Sequence, residues 1–276
     1  MLLLPIHTPI IHPGDDLAKI IAAEAHKQHA PGIHSGDILV ISSKVVATAE
    51  SRIIDLSSIT PSAEAQALSA ACKKNPQFCE AVLREMRRMH GQSGRICPGA
   101  IFTEVKPGGL PEGTILIANA GLDGSNAPQG HAIGWPADPV ASARRLRESC
   151  TRLLVDSNKQ INEQTNKREK AQIAVVLSDS CLHPRRSGVI ALALTVSGFD
   201  PIRSCIGERD LYGREMKITR EALADQLAVA ANMLMGNVAE STPAVIVRDH
   251  AVPLTDFEGW VPGIAPEEDL FGTLLL

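Results

Sequence analysis

Five short aliphatic runs, each closed by turn-forming residues, set the limits on what this chain can fold into. They are DILVIS (37–42), TILIANA (114–120), QIAVVLSD (172–179), VIALALTVSG (189–198) and PAVIVRD (243–249). Runs of this length, rich in Val, Ile and Leu, read as strands. None approaches the roughly 18–20 apolar residues that a membrane helix needs. The opening MLLLPI is too short for a secretory leader and lacks its basic flank. Segments of helical period lie between the runs. Asp15 and Asp16 precede Leu17, Ile20, Ile21 and Glu24, an apolar face behind acids suited to a helix N-terminus. Asp138–Pro139 reads as an N-cap with proline in the first turn, followed by Val140, Ala143, Leu146, Cys150 and Leu153 at steps of three and four. A third stripe, Ala222, Leu223, Gln226, Leu227, Ala230, Met233 and Leu234, stops at Gly236, and its methionines read as packing. Elements alternating in this way specify a mixed α/β (α+β) fold.

Aromatic residues make up only 3% of the chain, so its core must be aliphatic. At 276 residues it can form one large domain or two modest ones. A single domain over 1–276 is expected, with a subdomain junction or a long loop in the glycine- and proline-rich segment near 91–113. A net charge of −4 with interspersed signs argues against a nucleic-acid surface, and no membrane partner is expected. The six cysteines form no C-x-x-C pair and no zinc spacing. They read as free thiols in a reducing cytosol, so a cytoplasmic location is expected.

Two strands end in an acid. TILIANA leads to Asp123 inside a Gly-Ser-Asn loop, and AVVLSD leads to Asp179, followed by Ser180 and a basic turn. Carboxylates delivered from buried strand ends can face one crevice, and with a serine hydroxyl they form the usual protein share of a hard divalent-cation site. Arg185 and Arg186 could then neutralise phosphoryl charge. The competing reading is plain turn chemistry, since Asp and Asn at strand ends bond readily to the local backbone. Spacing alone leaves both open.

Five segments in one order, GDILVISSKVVATAESR, ANAGLDGSN, DPVASARR, IGERDLYGREMKIT and LADQLAVAANMLMG, resemble the coenzyme F420-0:L-glutamate ligase family. The resemblance runs from about residue 8 to about residue 249. It implies a mixed α/β fold of two intertwined subdomains in an intertwined homodimer. It also implies a GTP-dependent ligase that uses Mg2+ or Mn2+ to join L-glutamate to a carboxylate through an acyl phosphate. No Walker A loop is present. By position, Asp123 and Asp179 match the family's metal-binding aspartates, and Ser180 stands where a threonine binds a second metal. Asn126, Thr8, Pro9, Ile10, Ile11, Ser43 and Lys44 fall where the nucleotide is held. Arg186 matches an arginine of the phosphate-side turn and is the candidate catalytic cation. The segment holding Arg209, Asp210, Tyr212, Gly213 and Arg214 would serve the substrate cleft or a dimer contact; on its own it reads as a charged hairpin with exposed ion pairs.

The departures cluster on the phosphate side. Thr48 stands where the family has a nucleotide-contacting lysine. In DSCLHPRRSG, Leu182 replaces a glycine, His183 an arginine and Arg185 an aromatic residue, while Pro184, Arg186 and Gly188 remain. A leucine resists the positive φ open to glycine, so an altered loop path is expected. Asn237 occupies an acidic metal-ligand position and keeps an oxygen without the charge. The leading expectation is a metal- and GTP-dependent glutamate ligase acting on coenzyme F420-0 or a related acceptor. The alternatives are a ligase with a different acceptor or amine, a catalytically silent nucleotide-binding homologue, and a metal-dependent phosphohydrolase.

Overall fold

The computed structural model describes residues 1–161, 172–265 and 267–271, without the side chains of 156–161. The first half runs β1 (Leu2–Ile6), α1 (Leu17–Gln28), β2 (Ile38–Ser42), α2 (Ser43–Ala49), β3 (Ile53–Asp55), α3 (Ala63–Cys72), α4 (Pro76–Arg88), β4 (Gln92–Cys97), β5 (Ala100–Val105), β6 (Ile115–Ala118) and β7 (His131–Ile133). The second runs α5 (Pro139–Ile161), β8 (Ala174–Leu182), β9 (Val189–Ser197), β10 (Arg203–Ser204), β11 (Arg220–Glu221), α6 (Leu223–Met235), β12 (Ala244–Arg248) and β13 (Glu258–Trp260). The expected mixed α/β class is what forms.

The main sheet has the order β1-β12-β2-β8-β9-β13. β2, β12 and β8 as far as Leu177 alternate between its two faces. Leu39, Ile41, Val175, Leu177 and Ile246 face α1 and α5 through Leu17, Ile21, Leu146 and Cys150. Ile38, Val40, Ala174, Val176, Val245 and Val247 face α6 through Ala224, Leu227, Ala228 and Ala231. Both faces are covered, which is why these runs read as continuously apolar. β2 and β8 are parallel, whereas β12 is antiparallel to both β1 and β2. Ile6 pairs with Ala244, Ala244 with Ile41, and Ser42 with Ser178. The chain therefore leaves β1 and β2, and enters β12, at the same edge at which Ser178 hands over to Asp179.

Just before that point the sheet bends. Leu177 pairs with Thr195 but Ser178 with Ala193, so Leu194 has no counterpart and forms a bulge. Bulges bend a strand and re-aim its side chains. Here Leu194 and Cys181 turn into a second core with Phe78, Val82, Leu83 and Met86 of α4 and Ile101, Val105 and Ile117 of a small sheet. At the bulge the Ala193 N–H donates to Asp225 Oδ1 of α6 at 2.9 Å.

The 91–113 segment forms strands in place of a long loop. It holds β4 and most of a three-stranded sheet of order β4-β5-β6. Ile101, Thr103 and Val105 are fully buried and alternate with outward residues, a period of two hidden in sequence by the surrounding glycines. TILIANA stops as a strand at Ala118, because Asn119 and Ala120 take left-handed φ of 54° and 52°. MLLLPI forms edge strand β1. In α6, Met235 is buried as packing but Met233 is exposed. All six cysteines are free thiols, Cys97 exposed and the rest buried. Among the described residues, no helix is long and apolar enough to cross a membrane.

Replacing Asp225 with Ala strands the Ala193 N–H and should lower stability by about 1–3 kcal/mol. Asp225→Asn keeps an acceptor oxygen and should stay near wild type; urea unfolding of both variants measures the difference.

Candidate active site

The shared sheet edge opens into a cleft of about 530 Å³, within the range of small-molecule sites. The loop after β1 contributes Thr8, Pro9, Ile10 and Ile11, and α2 contributes Lys44 and Thr48. The loop after β6 supplies Asp123, Ser125 and Asn126; β8 supplies Ser178, Asp179 and Ser180. The 235–243 segment between α6 and β12, which includes Asn237, closes the remaining wall.

Asp123 is fixed through its backbone, whose N–H donates to the Ile133 carbonyl at 2.9 Å and whose carbonyl accepts from Ile133 N–H at 2.8 Å. That exchange leaves the carboxylate at the cleft. Lys44 Nζ lies 2.7 Å from Asp123 Oδ2 and 2.9 Å from Ser125 Oγ. Ser125 also donates its N–H to Asp123 Oδ1 at 2.9 Å and its hydroxyl to Oδ2. Burial would raise the Asp123 carboxyl, but the hydrogen bonds from Lys44 and Ser125 outweigh it and hold it below the usual range. Asn126 takes the left-handed φ of 56° and donates to the Val238 carbonyl at 2.8 Å, tying the Asp123 loop to the opposite wall.

Asp179 has different support. Trp135 Nε1 donates to its Oδ2 at 2.6 Å and the Ser180 N–H to its Oδ1 at 2.9 Å. Among the described residues it has no ion-pair partner. Burial pushes its carboxyl up to about 6, and the nearby Asp123 charge pushes the same way. Trp135, Lys44 and the Ser180 N–H pull it down only partly. The Ser180 hydroxyl meets Asn237 Oδ1 at 3.0 Å.

The donors that meet here are carboxylate, hydroxyl and amide oxygens, the set that suits Mg2+ or Mn2+ rather than a soft metal. No group of three or more His, Cys, Asp or Glu side chains converges among the described residues. Two carboxylates would thus leave most positions to hydroxyl, amide, water and substrate, as is usual for a hard cation on a phosphate substrate. The residues fit such an ion.

Other predicted residues fall differently. Ser43 is buried at the start of α2 and is not part of the cleft wall. The Thr48 hydroxyl donates to the Lys44 carbonyl at 2.9 Å, so it is occupied within its own helix. Arg186 is exposed on the β8–β9 turn and does not line the cleft. Leu182 ends β8, and the left-handed φ of 60° falls on Arg185 instead, so the loop path differs from one turning at 182. His183 is exposed, its Nδ1 3.0 Å from the Pro184 carbonyl. The Arg209–Arg214 segment is an exposed turn, with Arg214 3.3 Å from Asp210 and Arg209 donating to the Gly213 carbonyl at 2.6 Å. It lines no part of the cleft. Sequence reasoning overlooked Trp135 and Ser125. Trp135 carries a faint signal as one of two tryptophans, but its partner lies 44 residues away.

The family model for F420-0:gamma-glutamyl ligase matches residues 5–249. Coenzyme F420:L-glutamate ligase of Methanopyrus kandleri is 39% identical over 249 residues, covering 90% of this chain and 86% of that protein. The enzyme of the same name from Methanothermobacter thermautotrophicus is 35% identical over 265 residues and 95% of each chain. That from Archaeoglobus fulgidus is 35% identical over 240 residues, 87% of this chain and 84% of its own.

Because burial raises the Asp179 carboxyl above its ordinary value of 3.8, the stability it contributes is full below that value and is lost as pH rises through about 6. In a Trp260→Phe background with EDTA, the emission of Trp135 should titrate with a midpoint near pH 6. The transition should vanish in Asp179→Asn, and the melting temperature should fall across the same window.

Proposed function

The chain belongs to the F420-0:gamma-glutamyl ligase family, and from that membership we propose that it is a metal- and GTP-dependent amide ligase that adds L-glutamate to a carboxylate, coenzyme F420-0 or a related acceptor, through an acyl phosphate. The observation that carries this reading is the meeting of Asp123, Asp179 and Lys44 in one cleft. An acceptor carboxylate oxygen bonds to the γ-phosphorus as the bond to the β-bridging oxygen breaks and GDP leaves. The glutamate amine then bonds to the acyl carbon, inorganic phosphate leaves, and the amine gives up a proton to solvent.

The first step joins two anions, so the cleft must supply positive charge. Among the described residues lining it Lys44 is the only base, against Asp123, Asp179 and Glu240. Lys44 Nζ, held by Asp123 and Ser125, can direct an N–H to a phosphoryl oxygen. A divalent cation held by Asp123, Asp179, Ser180 and Asn237 would supply the remaining counter-charge to the polyphosphate. Ile10 and Val238, 77% and 72% exposed, give the cleft an apolar lip suited to the flat face of a nucleobase.

A second reading, a ligase with another acceptor or amine, draws on the position of Arg186. With that residue on the exposed turn, no arginine lines the cleft among the described residues, so the carboxylates of glutamate lack their usual partner there. We also propose a cytoplasmic homodimer of intertwined subdomains. Leu211, Tyr212 and Ile218 are 101%, 85% and 86% exposed on the β10–β11 turn, an apolar surface that a second copy would cover.

Asp123→Ala and Asp179→Ala should each abolish Mg2+-dependent GTP turnover in the presence of glutamate and coenzyme F420-0, with circular dichroism unchanged. Full activity in either variant would overturn the site. Product mass should rise by one or more glutamyl units; phosphate release without glutamate would point to a phosphohydrolase. Light scattering at micromolar concentration should give the mass of a dimer, and a monomer would refute the assembly.

A further inference from the structure

We propose that Trp135 is a positioning residue that sets the separation of the two strand-end carboxylates. The indole is 1% exposed and touches the support of both. On one side its Nε1 donates to Asp179 Oδ2 at 2.6 Å. On the other it rests on Gly121, two residues before Asp123. A Cβ at Gly121 would lie 2.5 Å from indole Cε2 and 2.6 Å from Nε1, and Gly121 holds a φ of +75°. Ile133, two residues before Trp135, exchanges both backbone hydrogen bonds with Asp123. The second tryptophan, Trp260, lies 6.2 Å away at 52°, its own N–H bound to the Gly108 carbonyl at 3.1 Å. The Trp135 carbonyl accepts from Arg52 Nε at 3.4 Å.

The ring is therefore a spacer with a fixed donor at one end. It holds the loop of Asp123 by contact and Asp179 by a hydrogen bond, and it leaves the second Asp179 oxygen to the Ser180 N–H. Groups that orient a ligating side chain in this way commonly change metal affinity 10–100-fold when removed.

The role rests on the proposed metal site, and Mn2+ binding followed by electron paramagnetic resonance separates the two ideas. Trp135→Phe deletes the donor and shrinks the bicyclic spacer to a single ring; its Mn2+ Kd should rise about tenfold. Gly121→Ala, which presses on the ring from the opposite side, should weaken binding as well, whereas Trp260→Phe should leave it unchanged. In the wild type, two indole N–H cross-peaks are expected in a 15N–1H spectrum, assigned with Trp260→Phe. Mg2+ should move the Trp135 peak and leave the Trp260 peak in place. Wild-type Mn2+ affinity in Trp135→Phe together with a stationary Trp135 peak would overturn the positioning role alone. No Mn2+ binding by the wild type would overturn the metal site and this role with it.

Discussion

Two carboxylates held in one partly buried cleft repel each other and lose hydration, and the rest of the site answers that constraint. Asp123 is relieved by Lys44 and Ser125, which lower its proton affinity. Asp179 is relieved less, by one indole N–H and one backbone N–H, and its carboxyl stays high at about 6. The asymmetry gives the cleft one satisfied anion and one in want of a cation. A structural ion pair would neutralise both. The arrangement instead suits a site that waits for positive charge to arrive with its substrate.

The fold delivers these groups by topology rather than by local motif. Parallel pairing of β2 with β8 brings Lys44 and Asp179 to one edge although they stand far apart in sequence. The β9 bulge shifts the β8–β9 register between Leu177 and Ser178, so that Leu194 and Cys181 join the α4 core, and Asp179 lies just beyond the shift. Asp123 arrives from the small sheet and is pinned to β7 by the Ile133 exchange. The site thus lies where the two cores adjoin, and Trp135 belongs to the second core while bonding to a residue of the main sheet.

Much of this was readable in the chain. Four of the five aliphatic runs became strands of the main sheet, whose faces are both covered, and TILIANA became β6 of the small sheet; both acids stood out as polar ends of apolar runs. The 91–113 hairpin was obscured because glycines 91, 94 and 99 mask the alternation of Ile101, Thr103 and Val105. The bulge leaves no sequence mark, since Leu194 is an ordinary apolar strand residue whose misfit exists only against Leu177 and Ser178. The indole bond to Asp179 depends on a contact across 44 residues and was invisible for the same reason. Arg186 looked like a partner for phosphate by motif position, yet the β8–β9 turn carries it to the exposed surface.

On the proposed reading, Asp123 and Asp179 together seat a hard cation against a polyphosphate. Anomalous diffraction at the manganese edge from crystals grown with Mn2+ and GDP tests it most directly. A peak is expected within bonding distance of both carboxylates, with the Lys44 ammonium moved from Asp123 toward a phosphate oxygen. A nucleotide bound in the cleft with no peak between the two aspartates, and the Lys44–Asp123 pair intact, would contradict it.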